Sequence, residues 1–297
     1  MTAGPVLVLR ALGLGDALTA IPALRGLRRR YDGRPLLLAG PAPVSDWLCR
    51  LGLVDAVVPT AGLDDAPPGR DLGRHVAVNL HGRGPQSHRL LLAGDPDELV
   101  AFDCPAAGHA GPAWRPDDHE VRRWCRLVPG ADPDDLRLPP PGGGCSDAVV
   151  IHPGAASPAR RWPADRWARV ATALRTTVVL TGSEHEQHLC RAIAARSDCR
   201  DTSGTLGLDE LATLVAGARL VLSGDTGVAH LATAYGTRSV TLFGPTPPAY
   251  WGPLVDPGLH QVIYHGTEPG DPHADHPDPA LLRITVDEVL AAVRELG

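Results

Sequence analysis

Residues 220–245 read LVLSGDTGVAHLATAYGTRSVTLFGP, and this stretch decides the fold. An apolar run at 220–222 leads into the turn Ser-Gly-Asp-Thr-Gly. Apolar residues then recur at helical spacing up to Tyr235, and a second β-rich run follows at 239–243. The pattern predicts a strand, a glycine turn, a helix and a second strand, which together form a βαβ unit.

The glycine turn in this stretch has the features of an anion site. Gly224 and Gly227 let the backbone turn sharply and let a ligand approach it, and Thr226 is placed to cap the helix that follows. Free N–H groups at a helix start lie at the positive end of the helix dipole, so a phosphate or diphosphate is the natural guest. The alternative is an ordinary crossover turn that binds nothing.

The length and composition indicate a soluble protein of two domains. The chain has 297 residues, and its apolar runs are all shorter than the roughly 20 residues that cross a bilayer. Its net charge is −6 and it has no polybasic tract, which argues against nucleic acid as a partner. All 28 basic residues are Arg, so lysine Schiff-base chemistry is excluded. The six cysteines lack zinc-site spacing, and we expect them to be reduced and the protein to be cytoplasmic.

Apolar runs alternate with helix-like segments along the chain, and we expect the first run, at 6–9, to be a strand rather than part of a signal peptide. The alternation predicts an α/β fold with parallel sheets covered by helices on both faces. The Pro- and Gly-rich stretch 139–144 can form neither a helix nor a central strand. We therefore expect a linker there, between one domain at 1–140 and another at 145–297. Residues 256–280, rich in Pro, His, Asp and Gly, are expected to be a long irregular excursion.

The predicted elements follow from this alternation. The predicted strands lie at 6–9, 36–39, 56–58, 76–78, 99–102, 149–152, 177–181, 220–222 and 239–243. The predicted helices lie at 44–51, 86–93, 119–127, 164–174, 184–195, 208–216, 228–235 and 286–296, with one more ending at 30.

Gly13, Gly15 and Asp16 follow the first predicted strand. In an open α/β sheet, ligands bind beyond the carboxyl ends of the strands, so this loop is well placed for a site. It does not match a dinucleotide-binding fingerprint, because Leu18 stands where the third glycine is expected. Asp16 has two interpretations. It caps the following helix, or its carboxylate lies at a cleft edge and accepts a proton from a substrate hydroxyl.

Residues 152–163 read HPGAASPARRWP and follow another predicted strand. The chain turns at Gly154 and presents Arg160 and Arg161 just before a helix. Arg binds phosphate oxygens through two N–H groups, so the pair is suited to hold a diphosphate leaving group. The alternative is a pair of surface arginines beside a packed tryptophan. We expect His152 to hydrogen-bond within its own turn rather than act as a base.

Two further polar loops follow predicted strands. Thr181 and Gly182 open the sequence TGSE, which suits the edge of a nucleotide pocket. In the first half, residues 79–89 read NLHGRGPQSHR and carry His81 and Arg83, which are suited to hold an acceptor. Solvated loop residues are the alternative for most of these side chains.

Taken in order, these stretches resemble glycosyltransferase family 9, the ADP-heptose:lipopolysaccharide heptosyltransferases and their relatives. The resemblance lies in LGLGDALTAIPAL, HPGA followed by RRWPADRW, TGSEHE, SGTLGLDELATLVAGA and SGDTGVAHLATAYGTRSVTLFGPT. It implies a GT-B architecture, in which two Rossmann-like domains face each other across a cleft and the second holds a sugar nucleotide.

The resemblance also implies a reaction and roles for residues. A sugar, in the first place a heptose from ADP-heptose, would pass with inversion and without a metal to a hydroxyl of a glycan, lipid or metabolite. Asp16 would be the general base, and Arg160, where the family commonly has Lys, would steady the diphosphate. Asp225 would reach sugar hydroxyls. The implied donor-side residues are His152, Gly154, Arg161, Thr181, Gly182, Gly224, Asp225, Thr226, Gly227 and His230. The implied acceptor-side residues are Gly15, His81 and Arg83.

Two other classes of function fit the same fold. A sugar-nucleotide epimerase or hydrolase would act on the donor with no acceptor. A binding protein would keep the nucleotide pocket without catalysing transfer. In each case we expect no cofactor besides the nucleotide sugar, and a peripheral contact with the inner face of the membrane is left open.

Overall fold

The structure is a computed structural model that describes residues 4–143 and 145–297. The chain separates into two compact units, of which the first ends at Leu136 and the second begins at Arg137. The predicted linker at 139–144 begins shortly after this division. Gly144 within it lies outside the described residues, and the predicted domain bounds stay a prediction.

The first unit alternates strands with helices. Its strands are β1 (Val6–Leu9), β2 (Leu36–Gly40), β3 (Ala56–Pro59), β4 (Val76–Asn79) and β5 (Glu98–Val100). Its helices are α1 (Leu14–Thr19), α2 (Ile21–Arg30), α3 (Ala42–Arg50), α4 (Gln86–Leu92) and α5 (Glu120–Leu127). The strands pair in parallel in the order β3-β2-β1-β4-β5.

The centre of this sheet is its most buried part. All four residues of β1 and of β4 are buried, as expected for inner strands of a parallel sheet covered on both faces. The segment after β1 forms two helices rather than one, because the chain breaks at Ala20. Pro22 lies in the first turn of α2, where its missing N–H costs no helical hydrogen bond.

The second unit repeats the pattern with a longer sheet. Its strands are β6 (Val149–His152), β7 (Val178–Leu180), β8 (Cys199–Asp201), β9 (Leu220–Gly224), β10 (Ser239–Phe243) and β11 (His260–Tyr264). Its helices are α6 (Ala164–Ala173), α7 (Gln187–Ala194), α8 (Leu208–Gly217), α9 (Gly227–Tyr235), α10 (Pro248–Trp251), α11 (Pro279–Arg283) and α12 (Val286–Leu296). The strands pair in parallel in the order β11-β10-β9-β6-β7-β8.

One face of the second sheet packs against α6, α7 and α12. Every second residue of the inner strands belongs to this buried cluster, for example Val149 and Ile151 of β6 and Leu220 and Leu222 of β9. The period of two is that of a strand, whose side chains point alternately to the two faces. The uninterrupted apolar runs in the sequence therefore reflect burial on both faces of the sheet.

The stretch at 220–245 forms the predicted βαβ unit, with β9 and β10 as parallel neighbours on either side of α9 in sequence. The prediction for 256–280 was wrong in part. Residues 260–264 form β11, which pairs with β10, and α11 begins at Pro279. Both strands that were not predicted, β8 and β11, lie at the edges of the sheet. Edge strands are short and partly polar, so their apolar signal is weak.

Both sheets have the strand order of a doubly wound Rossmann fold, so the prediction of an α/β protein with two Rossmann-like parallel-sheet domains is confirmed. The winding reverses between β1 and β4 in the first unit and between β6 and β9 in the second. Ligands of such sheets bind at the carboxyl ends of the strands at that reversal. We call the carboxyl ends of β1 and β4 the first edge, and those of β6 and β9 the second edge. Among the described residues, none of the helices has both the length and the apolar content needed to cross a bilayer.

Candidate functional site

The loop after β1 brings Asp16 to the first edge. Helix α1 starts at Leu14 and its N-cap residue is Gly13, so Asp16 is the third helical residue and not the cap. The capping interpretation of Asp16 is therefore wrong. The side chain is partly exposed, and a carboxylate in the first turn of a helix is favoured by the helix dipole.

Asp16 is bound by Arg10, a buried residue that directly follows β1. The Arg10 Nε donates to the Asp16 carbonyl oxygen at 3.0 Å, and Nη2 donates to Asp16 Oδ1 at 3.3 Å. Nη2 also lies within hydrogen-bond distance of Thr19 Oγ1, at 3.2 Å, and of Glu120 Oε1, at 3.0 Å. Nη1 donates to the Leu80 carbonyl oxygen at the end of β4. Arg10 thus ties together the two strands of the first edge, α1 and α5.

Glu120, the first residue of α5, binds Arg10 from the protein interior. It accepts hydrogen bonds from Trp124 Nε1 at 2.8 Å and from Arg123 Nη1. Burial acts to raise the pKa of Glu120, but the charges of Arg10 and Arg123 outweigh it and hold the pKa below its ordinary value. Glu120 is therefore a carboxylate at neutral pH. The Trp124 ring also lies 4.7 Å from the Arg10 guanidinium, in cation–π contact.

Not all of the predicted acceptor-side residues lie beside Arg10 and Asp16. His81 lies in the loop after β4, where burial and then the charge of Arg10 lower its pKa to about 4. The ring is neutral at pH 7, and its Nδ1 is buried without a hydrogen-bond partner among the described residues. Gly15 lies within α1, next to Asp16. Arg83 is exposed, so it lies at the surface of the loop.

Arg10 and Glu120 were not predicted from the sequence. Arg10 follows the buried run at 6–9 directly, and a charge at the end of an inner strand needs a partner, so a signal was present. Glu120 lies 110 residues further along the chain, in the first turn of a helix, where acidic residues are common. No local pattern points to it.

In the second unit, His152 ends β6 and Thr181 directly follows β7. His152 Nδ1 lies 3.0 Å from Thr181 Oγ1, directly after the neighbouring strand. The prediction that His152 hydrogen-bonds within its own turn was therefore wrong. Burial lowers the pKa of His152, and the charge of Glu186 counteracts this only in part. His152 is therefore neutral at pH 7 and is held as a hydrogen-bonding group.

Glu186, which was not predicted as a site residue, connects the loops after β6 and β7. It accepts hydrogen bonds from the backbone N of Ser183 at 2.7 Å and from Ser183 Oγ at 2.9 Å. A Cβ atom on Gly154 would lie 2.0 Å from Glu186 Oε1, so the carboxylate packs on bare backbone there. A Cβ on Gly182 would lie 3.0 Å from Cys190 Sγ. Both predicted glycines thus serve close packing beside the second edge.

The two predicted arginines take different directions. Arg160 Nη1 donates to the Asp225 carbonyl oxygen at 3.3 Å and lies 3.9 Å from Asp225 Oδ2. Arg161 Nε instead donates to the Ala155 carbonyl oxygen at 2.8 Å, within its own loop. A Cβ on Gly224 would lie 3.0 Å from the Arg160 carbonyl oxygen, so the loop approaches the end of β9 closely. Arg160 is the arginine that lies against the glycine turn.

The glycine turn ends at the start of α9, whose first residue is Gly227. Thr226 is the N-cap residue by backbone conformation, but its side chain makes no capping hydrogen bond. Within the described part of the chain, Thr226 Oγ1, Ser223 Oγ and Arg160 Nε are buried and have no hydrogen-bond partner. Buried polar groups are normally satisfied, so these three hydrogen-bond donors suit an added acceptor. His230, in the next turn of α9, packs its ring edge to face on Trp251, at 5.8 Å between centroids.

The described residues hold no group of three or more His, Cys, Asp or Glu side chains arranged to bind a metal ion. Residues 140–269, all in the second unit, match glycosyltransferase family 9 (heptosyltransferase). Lipooligosaccharide heptosyltransferase 2 of Haemophilus influenzae is 30% identical over 162 residues, which are 50% of this chain and 46% of that protein. The chain thus spans about half the length of the curated relatives it matches.

Solved structures extend the likeness to both units at the level of fold. The ADP-heptose lipopolysaccharide heptosyltransferase II of Escherichia coli has a TM-score of 0.80 and 21% identity, covering 98% of each chain. The Escherichia coli heptosyltransferase WaaC with ADP has a TM-score of 0.74 and 19% identity, covering 99% of this chain and 100% of the other. Identities this low support the GT-B fold alone. The family match over 140–269 confirms the predicted resemblance, and this part of the chain is similar to glycosyltransferase family 9.

Proposed function

We propose that this chain is an inverting glycosyltransferase that moves a heptose from ADP-heptose to a hydroxyl group of a glycan, lipid or metabolite. The observation that carries the proposal is the second edge, where Thr226, Ser223 and Arg160 present buried donors that have no partner in the described part of the chain. All three are donors, and the start of α9 adds the positive end of a helix dipole. A diphosphate is an acceptor that fits this arrangement. The ADP in the structure of Escherichia coli WaaC supports the same class of ligand.

Asp16 supplies the other half of the proposed reaction. Its carboxylate takes the proton of the acceptor hydroxyl, and the oxygen forms a bond to the anomeric carbon. The bond between that carbon and the diphosphate oxygen breaks, and ADP leaves with the electron pair. Attack on the face opposite the leaving group inverts the configuration. Arg160 and the glycine turn stabilise the charge that develops on the diphosphate. We propose that this stabilisation makes an added metal ion unnecessary.

The donor is tested by thermal melting with ADP, GDP and UDP in turn. A ligand present at about 100 times its dissociation constant adds about 2.7 kcal/mol to stability. We expect ADP to raise the melting temperature more than GDP or UDP does. Equal shifts with all three nucleotides, or none with ADP, would overturn the choice of donor. Unchanged turnover in a chelator is the matching expectation for metal independence.

The base is tested with Asp16→Asn. We expect turnover, measured as ADP release from ADP-heptose with heptose-free lipooligosaccharide as acceptor, to fall by about 10²- to 10⁴-fold. The matched control is Asp165→Asn, since Asp165 also lies in the first turn of a helix, α6, but is exposed. Full activity in Asp16→Asn would remove Asp16 from the mechanism. ADP release without any acceptor would instead indicate a hydrolase.

A further inference from the structure

Arg10 lies between two carboxylates that differ in exposure. Its Nη2 is 3.0 Å from Glu120 Oε1 and 3.3 Å from Asp16 Oδ1. The Glu120 side chain is 6% exposed and the Asp16 side chain is 30% exposed, while that of Arg10 is 2% exposed. Asp16 is therefore the carboxylate of the two that a substrate can reach, and Glu120 is the internal one.

We propose that Arg10 is the positioning residue of the base, and that Glu120 in turn holds Arg10. The inference rests on the proposed function, in which Asp16 takes the acceptor proton. The bond from Nε to the Asp16 carbonyl oxygen fixes the first turn of α1 against the end of β1, and the bond from Nη2 fixes the carboxylate. A planar guanidinium makes both bonds at once, because its N–H groups point in fixed directions.

The charged and titratable groups described around Arg10 and Asp16 come from three elements. Arg10 approaches from the end of β1, and Glu120 lies behind it on α5. Arg123, also on α5, pairs with Glu120. His81, in the loop after β4, is close enough to feel the Arg10 charge and is neutral at pH 7. Without Arg10, Asp16 loses the cation that lies 3.3 Å from its carboxylate, so it takes up a solvent proton more readily and acts as a base over a narrower pH range.

The test compares Arg10→Gln and Arg10→Lys in the ADP-release assay across pH. In Arg10→Gln we expect kcat to fall about 10- to 100-fold, the KM for ADP-heptose to change by less than about threefold, and the acid limb of the rate profile to rise by about one pH unit. Arg10→Lys keeps the charge and loses the planar fork. We expect its acid limb to stay in place while kcat recovers only in part.

In Glu120→Gln we expect the acid limb of the rate profile to move in the opposite direction. Arg10 then has Asp16 as its remaining carboxylate partner, so we expect the acid limb to move to lower pH. A matched control is Arg126→Gln. Arg126 lies on the same helix as Glu120, but it pairs with Asp118, at 2.6 Å, rather than with Asp16 or Glu120. We expect this variant to keep the acid limb of the wild type.

Two results would overturn the proposal. One is a fall in melting temperature for Arg10→Gln with kcat and the acid limb both unchanged, which is the mark of a structural arginine. The other is wild-type kcat in Arg10→Lys, which would show that the planar fork is not needed. If Arg10→Gln does not fold, the comparison of Arg10→Lys with the wild type decides the matter alone.

A readout without turnover separates this inference from the proposed function. The carboxyl ¹³C resonance of Asp16, assigned by its loss in Asp16→Asn, is titrated in the wild type and in Arg10→Gln. We expect a higher midpoint in the variant. If that shift occurs in a protein that does not turn over ADP-heptose, the proposed function fails and the coupling of Arg10 to Asp16 stands. If the protein turns over ADP-heptose and the midpoint does not move, the proposed function stands and the coupling of Arg10 to Asp16 fails.

Discussion

The first and second edges have the same strand order around them but differ in how their main polar side chains are paired. At the first edge charged groups bind one another, with Arg10 between Asp16 and Glu120. At the second edge Thr226 Oγ1 and Arg160 Nε are buried without partners among the described residues. The charged side chains around Asp16 thus pair with one another, whereas the glycine turn of the second edge keeps buried donors without a partner among the described residues.

This difference has a physical meaning. A fully paired polar network is rigid and keeps its charges in fixed places, which suits a group that must accept a proton from one direction. A buried donor without a partner costs about 1–3 kcal/mol, and a ligand that pairs it recovers that free energy as affinity. Under the proposed function, the first edge is therefore organised before a substrate arrives, while a ligand would pair the free donors of the second edge.

The largest expected effect comes from breaking the paired network at its buried carboxylate. Glu120→Gln leaves Arg10 and Arg123 buried with one counter-charge fewer, and loss of one partner of a buried ion pair costs about 3–5 kcal/mol. We expect urea unfolding to show a loss of this size. Asp97→Asn, which breaks the exposed pair of Asp97 with Arg74, is the control and should cost less than about 1 kcal/mol. Equal stability of the two variants would mean that the first edge is not held by its charges.

The next largest effect is expected at the second edge, on the affinity for ADP. Thr226→Val removes a hydroxyl that has no hydrogen-bond partner in residues 4–143 and 145–297, so we expect no loss of stability. The same change removes a proposed donor to the diphosphate, worth about 1.5–3 kcal/mol, so ADP affinity should fall about 10-fold or more in calorimetry.

Thr285→Val is the matched control for that experiment. Thr285 is the N-cap residue of α12, and unlike Thr226 it takes part in a true capping box with Glu288. We expect this variant to lose about 1 kcal/mol of stability and to bind ADP as the wild type does. If Thr226→Val behaves like Thr285→Val, its hydroxyl serves the helix and not a ligand.

The local structure around the glycine turn was predicted more completely than that of the first edge, and the reason is locality. The turn Ser-Gly-Asp-Thr-Gly, the strand before it and the helix after it lie within 220–245, so one window of sequence contains all three. The apolar runs are equally local, which is why the inner strands β1, β4, β6 and β9 were all predicted. Edge strands β8 and β11 were missed because most of their residues are only partly buried, and the apolar pattern used to predict strands depends on burial.

At the first edge the sequence predicted Asp16 with Gly15, His81 and Arg83, but not the residues that bind Asp16. Arg10 and Glu120 form a pair although they are 110 residues apart, and no spacing rule in a single sequence connects them. The sequence also left open whether Asp16 caps its helix. That question needed the backbone, which shows Gly13 in the cap position. Local sequence patterns thus do not predict the long-range charge pairing of the candidate site.

The smallest expected effect is one that the two units share. Burial and Arg10 lower the pKa of His81 to about 4, and burial and Arg137 lower that of His260 to about 4 although Asp256 acts to raise it. A histidine in the unfolded chain titrates near 6.5, so between pH 6.5 and 4 the unfolded state binds more protons than the folded state does. Stability should therefore fall as the pH falls through this window. We expect His81→Gln and His260→Gln each to flatten the slope of melting temperature against pH, while the exposed His188→Gln leaves it as it is. If neither histidine variant changes the slope, the loss of stability in acid comes from carboxylates such as Glu120. The stability that Glu120 contributes is lost only at lower pH.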